Sequence, residues 1–352
     1  MDRVKVSVIM PVYNAEDFLA ESIDCILNQT LDDLELICVD DGSVDSSLEM
    51  LNDYAEKDSR VKVFHQENRG GGAARNVAIE HAVGEYIYCM DADDMIELDA
   101  LEILYDLSAE KDLDMVIFQA INYDDKLDKY YHNVYYDMEE LADFVGNEVF
   151  GFDDLDDYIF KISVTPWCKF YRTKFVKDAD AKFAEGLIFH DNIFYWDLIF
   201  KAKRMYFLRK FLYIRRRHIA SSTGAGDKRY ISTITINNMI IQRFIDNNQF
   251  DRYKQHLYNR KISLIYRRYG EVQDQYKPDF YDAMKEDFSK LLDASVYDEF
   301  MELAYDHNIK RFNDVVKSRD FKDFEKRYNR KGNSKNKKSL KSKVKKVLRK
   351  FK

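Results

Sequence analysis

The chain has 352 residues, 46% hydrophobic and 14% aromatic, which excludes wholesale disorder and leaves room for one large domain with an extension, or for two domains. No run of about 18 apolar residues occurs, so no transmembrane helix is expected, and the widely spaced Cys25, Cys38, Cys89 and Cys168 provide neither a CxxC zinc site nor a disulfide framework. The net charge of -8 is uneven: residues 331–352 carry eleven Lys/Arg and no Asp/Glu, which leaves an acidic body at -19 beside a basic tail.

The opening MDRVKVSVIMPVYN has a short apolar run and no small-residue cleavage site. It is expected to be a first strand (4–10) of a chain that stays in the cytoplasm. Apolar residues then recur at helical spacing over 16–29. LELICVD (34–40) predicts a second strand, 46–57 a helix and RVKVF (60–64) a third strand. A glycine turn enters a helix over 71–82. EYIYCMD (85–91) predicts a fourth strand, 98–110 a helix and DMVIFQ (114–119) a fifth strand. Strands alternating with helices at this interval imply an α/β fold with a mostly parallel sheet flanked by helices. Ligands of such sheets bind beyond the carboxyl ends of the strands, which places the chemistry just after residues 10, 39, 65 and 90. The Tyr-rich stretch after 120 predicts a hairpin or irregular excursion, 189–201 a helix and 205–215 a strand. Helical spacing dominates 228–330.

Three segments at that end of the sheet carry chemistry. In CMDADD, Asp91, Asp93 and Asp94 follow a buried run, and extended backbone turns Asp91 and Asp93 to one side. Carboxylates so close repel unless a cation or donors compensate. The pattern fits a divalent cation shared with a phosphate, or a solvated acidic turn in which Asp94 caps the next helix. In VDDGSVDSS, Asp40 and Asp41 end the second strand, where a carboxylate accepts from a base N–H or a ribose hydroxyl. Gly42, Ser43 and Asp45 fit turn and cap chemistry equally well. In ENRGGGAARN (67–76), three glycines permit close backbone approach, the helix start offers N–H groups to an anion, and Arg75 adds charge. A plain loop before a helix is the other interpretation. The glycines do not form a GxGxxG fingerprint after the first strand, and no GxxxxGK[ST] is present.

The order and spacing of PVYN (11–14), DDGS, GGxxxARN, GEY and DADD over about 100 residues resemble the family 2 glycosyltransferases, which have the GT-A fold. The resemblance covers roughly 1–222. It implies a nucleotide-diphosphate sugar donor, most often a UDP-sugar, and a bacterial surface-polysaccharide role. By position, Pro11 and Tyr13 would line the nucleoside pocket. Asp41 would bind the uracil edge with Asp40 beside it, and Arg75 would lie near the phosphates. Asp91 would contact the ribose, and Asp93 would hold Mn²⁺ or Mg²⁺. FAEGLIFHDNIF resembles the family segment whose Glu-Asp pair supplies the general base; here the pair is His190-Asp191, with Asp191 as base and a helix cap as the rival role. PWCKFYR resembles a stretch near the sugars. Trp167 would stack on a sugar or fill the core, and Lys169 would pair with phosphate, Asp91 or Asp93. YIRRRHIASST (213–223) resembles the segment over the diphosphate: Arg215, Arg217, His218 and Ser221 would face it, with His218 a metal ligand or phosphate contact. The place where sugar nucleotidyltransferases carry a GxGTR-type loop holds PVYNAED, which argues against that class.

The expected organisation is a GT-A domain over 1–222, a helical subdomain over 223–330 and a tail over 331–352. In the tail, Leu340, Val344, Val347, Leu348 and Phe351 share one helical face among Lys and Arg. A basic amphipathic helix predicts peripheral attachment to the anionic inner leaflet, next to a glycan or lipid-linked acceptor. Nucleic acid is not an expected partner of so acidic a body. The expected function is a metal-dependent inverting glycosyltransferase; a catalytically inactive glycan-binding or scaffold protein is the alternative.

Overall fold

The computed structural model describes residues 4–218 and 226–330. The chain divides into two compact units, meeting at 225/226. The expected boundary at 222/223, Ser221 and the whole basic tail lie outside the described residues.

The first unit is built on one sheet. In chain order it runs β1 (Val6–Val12), α1 (Leu19–Leu27), β2 (Leu34–Asp40), α2 (Ser47–Lys57), β3 (Val61–His65), α3 (Gly71–His81), β4 (Tyr86–Cys89), β5 (Met95–Ile96), α4 (Ala100–Glu110), β6 (Met115–Asp124) and β7 (Lys129–Tyr131). Two short helices follow, α5 (Val134–Asp137) and α6 (Glu139–Val145), then β8 (Lys169–Arg172), α7 (Thr173–Asp178), α8 (Asp191–Ile199) and β9 (Met205–Arg217). The strand order is β3-β2-β1-β4-β8-β6-β9-β5, with β7 paired to β6. The β3-β2-β1-β4 half is parallel, and β6 runs parallel to β9. Strand β8 is antiparallel to both β4 and β6 and joins the halves. The fold is α/β of the GT-A kind, with the curled sheet covered by helices. The Tyr-rich excursion forms the β6–β7 hairpin.

Strands β1, β2 and β4 are buried almost throughout, as near-continuous Val/Ile/Leu runs require when helices cover both faces. Their register puts Val12 opposite Asp40 and Ile9 opposite Cys89, so the β1, β2 and β4 ends converge on one rim. Two-residue β5 pairs with β9 straight after the acidic run, Met95 opposite Ile214 and Ile96 opposite Tyr213. That pairing brings the end of β9 to the same rim.

The second unit is helical: α9 (Ser232–Asp246), α10 (Phe250–Glu271), α11 (Lys277–Ser289), α12 (Ala294–Leu303) and α13 (Asp306–Val316). Phe280, Phe288, Phe300, Phe312 and Phe324 form its aromatic core. Within that unit Lys261 meets Asp287 at 2.8 Å, both side chains buried, and burial pulls the Lys261 ammonium below its ordinary pKa.

One buried carboxylate near the start of β2 makes a stability test. Glu35 on β2 accepts from Ser7 Oγ at 2.5 Å and from Val83 N–H at 2.9 Å, and it pairs with Lys62. Burial pushes its carboxyl upward, but Lys62, Ser7 and the Val83 amide outweigh that and hold it below 4.5. The stabilisation is complete above that ordinary value and is lost as pH falls through the lower folded value. Urea unfolding should show Glu35→Gln destabilised by about 1–3 kcal/mol at pH 7. The gap from wild type should narrow as the pH is taken below 4.

Candidate active site

The PVYN and DDGS turns are laced together. Asn14 N–H donates to Ser43 Oγ at 3.0 Å, Val44 N–H donates to Asn14 Oδ1 at 2.9 Å, and Ala15 N–H donates to Ser47 Oγ at 2.9 Å. Gly42 sits at φ +76°, and a Cβ there would lie 2.9 Å from the Asn68 nitrogen, so both the turn and its neighbour demand glycine. Tyr13 projects half-exposed at the rim, and Pro11 is half-buried behind it.

Asp40 and Asp41 are both buried. Asp40 faces the N–H groups of Gly42 and Ser43 and meets His65 Nδ1 at 2.8 Å. Asp41 accepts from Gln66 Nε2 (2.7 Å), Arg69 N–H (2.9 Å) and Gly70 N–H (2.8 Å). Here the two carboxylates hold the 66–70 loop against the end of β2. Alternation along a strand gave no signal for this, because the loop partners, the His65 and Gln66 side chains and the Arg69 and Gly70 amides, are 25 or more residues away.

Helix α3 then positions the centre. Gly70 turns into it at φ +89° with open space where a Cβ would be. A Cβ on Gly72 would lie 2.7 Å from the Ala184 carbonyl and 3.2 Å from His190 Cγ. That close approach lets the 183–191 segment pack on the helix. Asn76 fixes the same segment by donating to the Phe183 carbonyl (3.0 Å) and accepting its N–H (2.9 Å). Arg75, buried, lies over the Phe183 ring and pairs with Asp91.

Asp91, Asp93 and Asp94 leave β4 with carboxylate oxygens all within 4.8 Å of one another. Each has a different partner. Asp91, about a third exposed, holds Arg75; burial and the Asp93 and Asp191 charges push its carboxyl up against the pull of Arg75. Asp93 meets His218 Nε2 at 2.7 Å. Asp94 is buried, accepting from Tyr213 O–H (2.5 Å) and Arg216 N–H (2.7 Å); burial, then Asp93 and Asp91, raise it well above the ordinary carboxyl range. Asp94 therefore anchors the acidic run to β9 and does not cap the next helix, whose N-cap is Asp99. Arg216 extends that anchor, donating Nε to the Asp93 carbonyl at 3.0 Å and pairing with Asp125 and Glu21. His218 packs its ring 4.4 Å from Phe18. Arg217 is half-buried at the end of β9, in register with Asp124.

Asp191 begins α8. Its Oδ1 lies 3.0 Å from His190 Nδ1. Burial pushes this carboxyl up, but His190, Arg75 and Lys169 together outweigh it and hold it below the ordinary value. It is thus ionised at neutral pH, as a base must be.

Two expected contacts do not form. Lys169 does not reach Asp91 or Asp93. It is fully buried and donates to the main-chain carbonyls of Ser163 and Thr165. Burial lowers its pKa, and its charge acts on Asp191 from beneath. Trp167 is buried and stacks on Tyr213 with centroids 4.5 Å apart, so in this structure it fills the core that supports Asp94. The sequence offered no separation between those roles, since apolar neighbours suit both. His65, Asn76, Tyr213 and Arg216 carry no local sequence signal, because each acts through a partner far away in the chain.

The acidic run and His218 form an oxygen-rich donor set with one imidazole, a chemistry that suits Mn²⁺ or Mg²⁺. Asp93 and His218 meet no other charged partner among the described residues, whereas Asp91 and Asp94 are held by Arg75 and by β9.

A family model, Glycosyl transferase family 2, matches residues 7–174. Glycosyltransferase GlyG of Streptococcus pneumoniae serotype 4 is 35% identical over 223 residues, 61% of this chain and 72% of that protein. Putative glycosyltransferase EpsH of Bacillus subtilis is 30% identical over 268 residues, 73% of this chain and 74% of that one. The crystal structure of S. aureus TarS 1–349 in complex with UDP-GlcNAc superposes at a TM-score of 0.68 and 22% identity, covering 93% of this chain and 92% of that chain.

The Gly72 contact is directly testable. Gly72→Val should push the Ala184 carbonyl and His190 away from α3. A loss of about 1–3 kcal/mol is expected by urea unfolding, as for other overpacked sites, whereas Gly70→Ala, in open space but at positive φ, should cost about 1 kcal/mol.

Proposed function

The chain belongs to glycosyl transferase family 2, a glycosyltransferase of the bacterial surface-polysaccharide type, and we propose that it moves a sugar from a UDP-sugar to a glycan or lipid-linked acceptor with inversion at the anomeric carbon. The observation that carries the proposal is the meeting of Asp91, Asp93 and Asp94 with Asp191 around the buried Arg75. The UDP-GlcNAc complex of the similarly folded TarS supports a nucleotide-sugar donor of this kind.

In this proposal Pro11 and exposed Tyr13 flank the nucleoside. Asp41, with Asp40 behind it, shapes the 66–70 loop on which the base rests, and its carboxylate faces the uracil edge. Asp91 meets the ribose while Arg75 balances its charge. Arg217 and His218 reach the diphosphate from the end of β9. Asp93 and His218 hold Mn²⁺ or Mg²⁺. When bound, that cation neutralises the charge developing on the UDP leaving group. Trp167 supports the donor-sugar end through Tyr213, and Lys169 supports it through its charge beneath Asp191.

Asp191 takes the proton from the acceptor hydroxyl as that oxygen attacks the anomeric carbon from the face opposite UDP. A single displacement of that kind inverts the configuration. The carboxylate must stand within hydrogen-bond reach of the hydroxyl, and being ionised it accepts at neutral pH. The basic segment 331–352 is proposed to hold the enzyme peripherally on the cytoplasmic face of the membrane, where a lipid-linked acceptor would be presented.

Calorimetry with UDP and UDP-sugars, with and without Mn²⁺, tests the donor site. Binding should depend on metal and disappear in Asp93→Ala, with turnover down at least ~100-fold. Asp191→Asn should keep UDP binding and lose turnover to a similar degree. No nucleotide binding at all would point instead to an inactive glycan-binding protein. For the tail, co-sedimentation with anionic vesicles should fall when 331–352 is removed; unchanged binding rejects that attachment.

A further inference from the structure

The transfer described above leaves His190 without a task. Yet the fold holds this ring firmly. Phe183 meets it edge-on with centroids 5.5 Å apart, and Gly72 on α3 leaves just enough room for it. Its Nδ1 lies 3.0 Å from Asp191 Oδ1. Both atoms are shut off from solvent, and neither makes a well-aligned hydrogen bond with any other group among the described residues. The contact is therefore one of charge and packing between neighbours in sequence, held in place by α3.

The consequence lies in the geometry of the carboxylate. Asp191 as a whole keeps 28% of its side chain exposed, although Oδ1 is covered. Oδ2 is thus the oxygen left for an incoming hydroxyl. We infer that His190 is a positioning residue for the base: its imidazole seals Asp191 Oδ1, fixes the carboxylate's rotation and leaves Oδ2 as the proton-accepting atom. The inference rests on Asp191 being the base.

The surrounding charges determine what removal of His190 would do. Arg75 faces Asp191 from α3 and Lys169 from β8. Asp91 faces it from the end of β4, and the buried Cys89 and Tyr171 lie close by. Two cations remain when His190 is lost, but so do the Asp91 charge and the burial that raises the Asp191 carboxyl. His190 is the largest of the groups that offset that burial. Its loss should therefore raise the Asp191 pKa, and the base should become protonated at a higher pH than in wild type.

Two measurements on the intact chain test the assignment. The first is ¹³C NMR of carboxyl-labelled aspartate, with the Asp191 signal identified by its absence in Asp191→Asn. In His190→Leu the titration midpoint should move up by at least about half a unit, less than the one to three units of a fully buried opposite charge. In His190→Asn, which refills part of the space beside Oδ1 but cannot carry charge, the midpoint should stay raised. The second is UDP release from UDP-GlcNAc with Mn²⁺. His190→Leu should lose about tenfold in kcat with KM for UDP-GlcNAc unchanged, and the acid limb of its pH profile should move upward; His190→Asn should restore most of the rate. An unmoved Asp191 midpoint in His190→Leu overturns the inference, as does an Asn variant that turns over no faster than Leu. Wild-type UDP release by Asp191→Asn would instead remove the base assignment beneath it.

Discussion

The site depends on one electrostatic problem and its solution. Strand β4 delivers Asp91, Asp93 and Asp94 to the rim within a few ångströms, and the start of α8 brings Asp191 towards them. Carboxylates at that spacing, partly shielded from water, repel by an amount that no fold tolerates uncompensated. Arg75 is the fixed cation among them, buried against Phe183 and paired with Asp91. Burial disfavours its charge, but Asp91 and Asp191 outweigh that and keep it protonated. Main-chain and hydroxyl donors treat the remaining members: Tyr213 and the Arg216 amide hold Asp94. Asp93 pairs, among the described residues, with His218 alone.

The sheet makes this arrangement possible because its two halves meet at β4 and β8. The parallel half presents the carboxyl ends of β1, β2 and β4 together. Strand β9, paired with β5, brings Tyr213, Arg216 and His218 back from 119 to 125 residues away. The second-unit pair of Lys261 with Asp287 obeys the same physics. A buried cation there is matched to one carboxylate and to the Asn238 amide oxygen at 2.7 Å. Perturbed charge therefore marks both a site and a structural pair in this chain, and only the convergence of several carboxylates distinguishes the first.

Much of the first unit was legible because its signals are local. Hydrophobic runs of five to seven residues bounded by turn formers located β1 to β4, and the acidic and glycine-rich segments fell at the strand ends where an α/β sheet binds its ligands. Elements defined by their partners were not legible. Two-residue β5 has no periodicity to detect, and β9 extends to Arg217, past the predicted 215, because β6 lies alongside it in register. Lys169 shows the same limit at a single residue. A lysine near a predicted site suggests a phosphate or carboxylate partner. Its actual environment, main-chain carbonyls of Ser163 and Thr165 in a fully buried pocket, is set by a turn preceding β8 that has no sequence signature.

The glycine run 70–72 shows why a motif is weaker evidence than its geometry. Three consecutive glycines invite one explanation, an open backbone ready for a ligand, but the structure gives them different duties. Gly70 supplies a positive φ at the mouth of α3, with nothing near it. Gly71 faces the Arg75 guanidinium, where a Cβ would stand 3.3 Å from Nη1. Gly72 is glycine for an internal reason: the Ala184 carbonyl occupies the space of a side chain. That last contact couples two segments that sequence reading treats separately, the glycine loop and the His190-Asp191 pair. Helix α3 thereby sets the positions of Arg75 and of the segment that carries Asp191 on the same few residues. A change at Gly72 consequently acts on Asp191 without touching it, and the spacing of glycine, arginine and asparagine along one helical turn is a constraint on the site as much as on the helix.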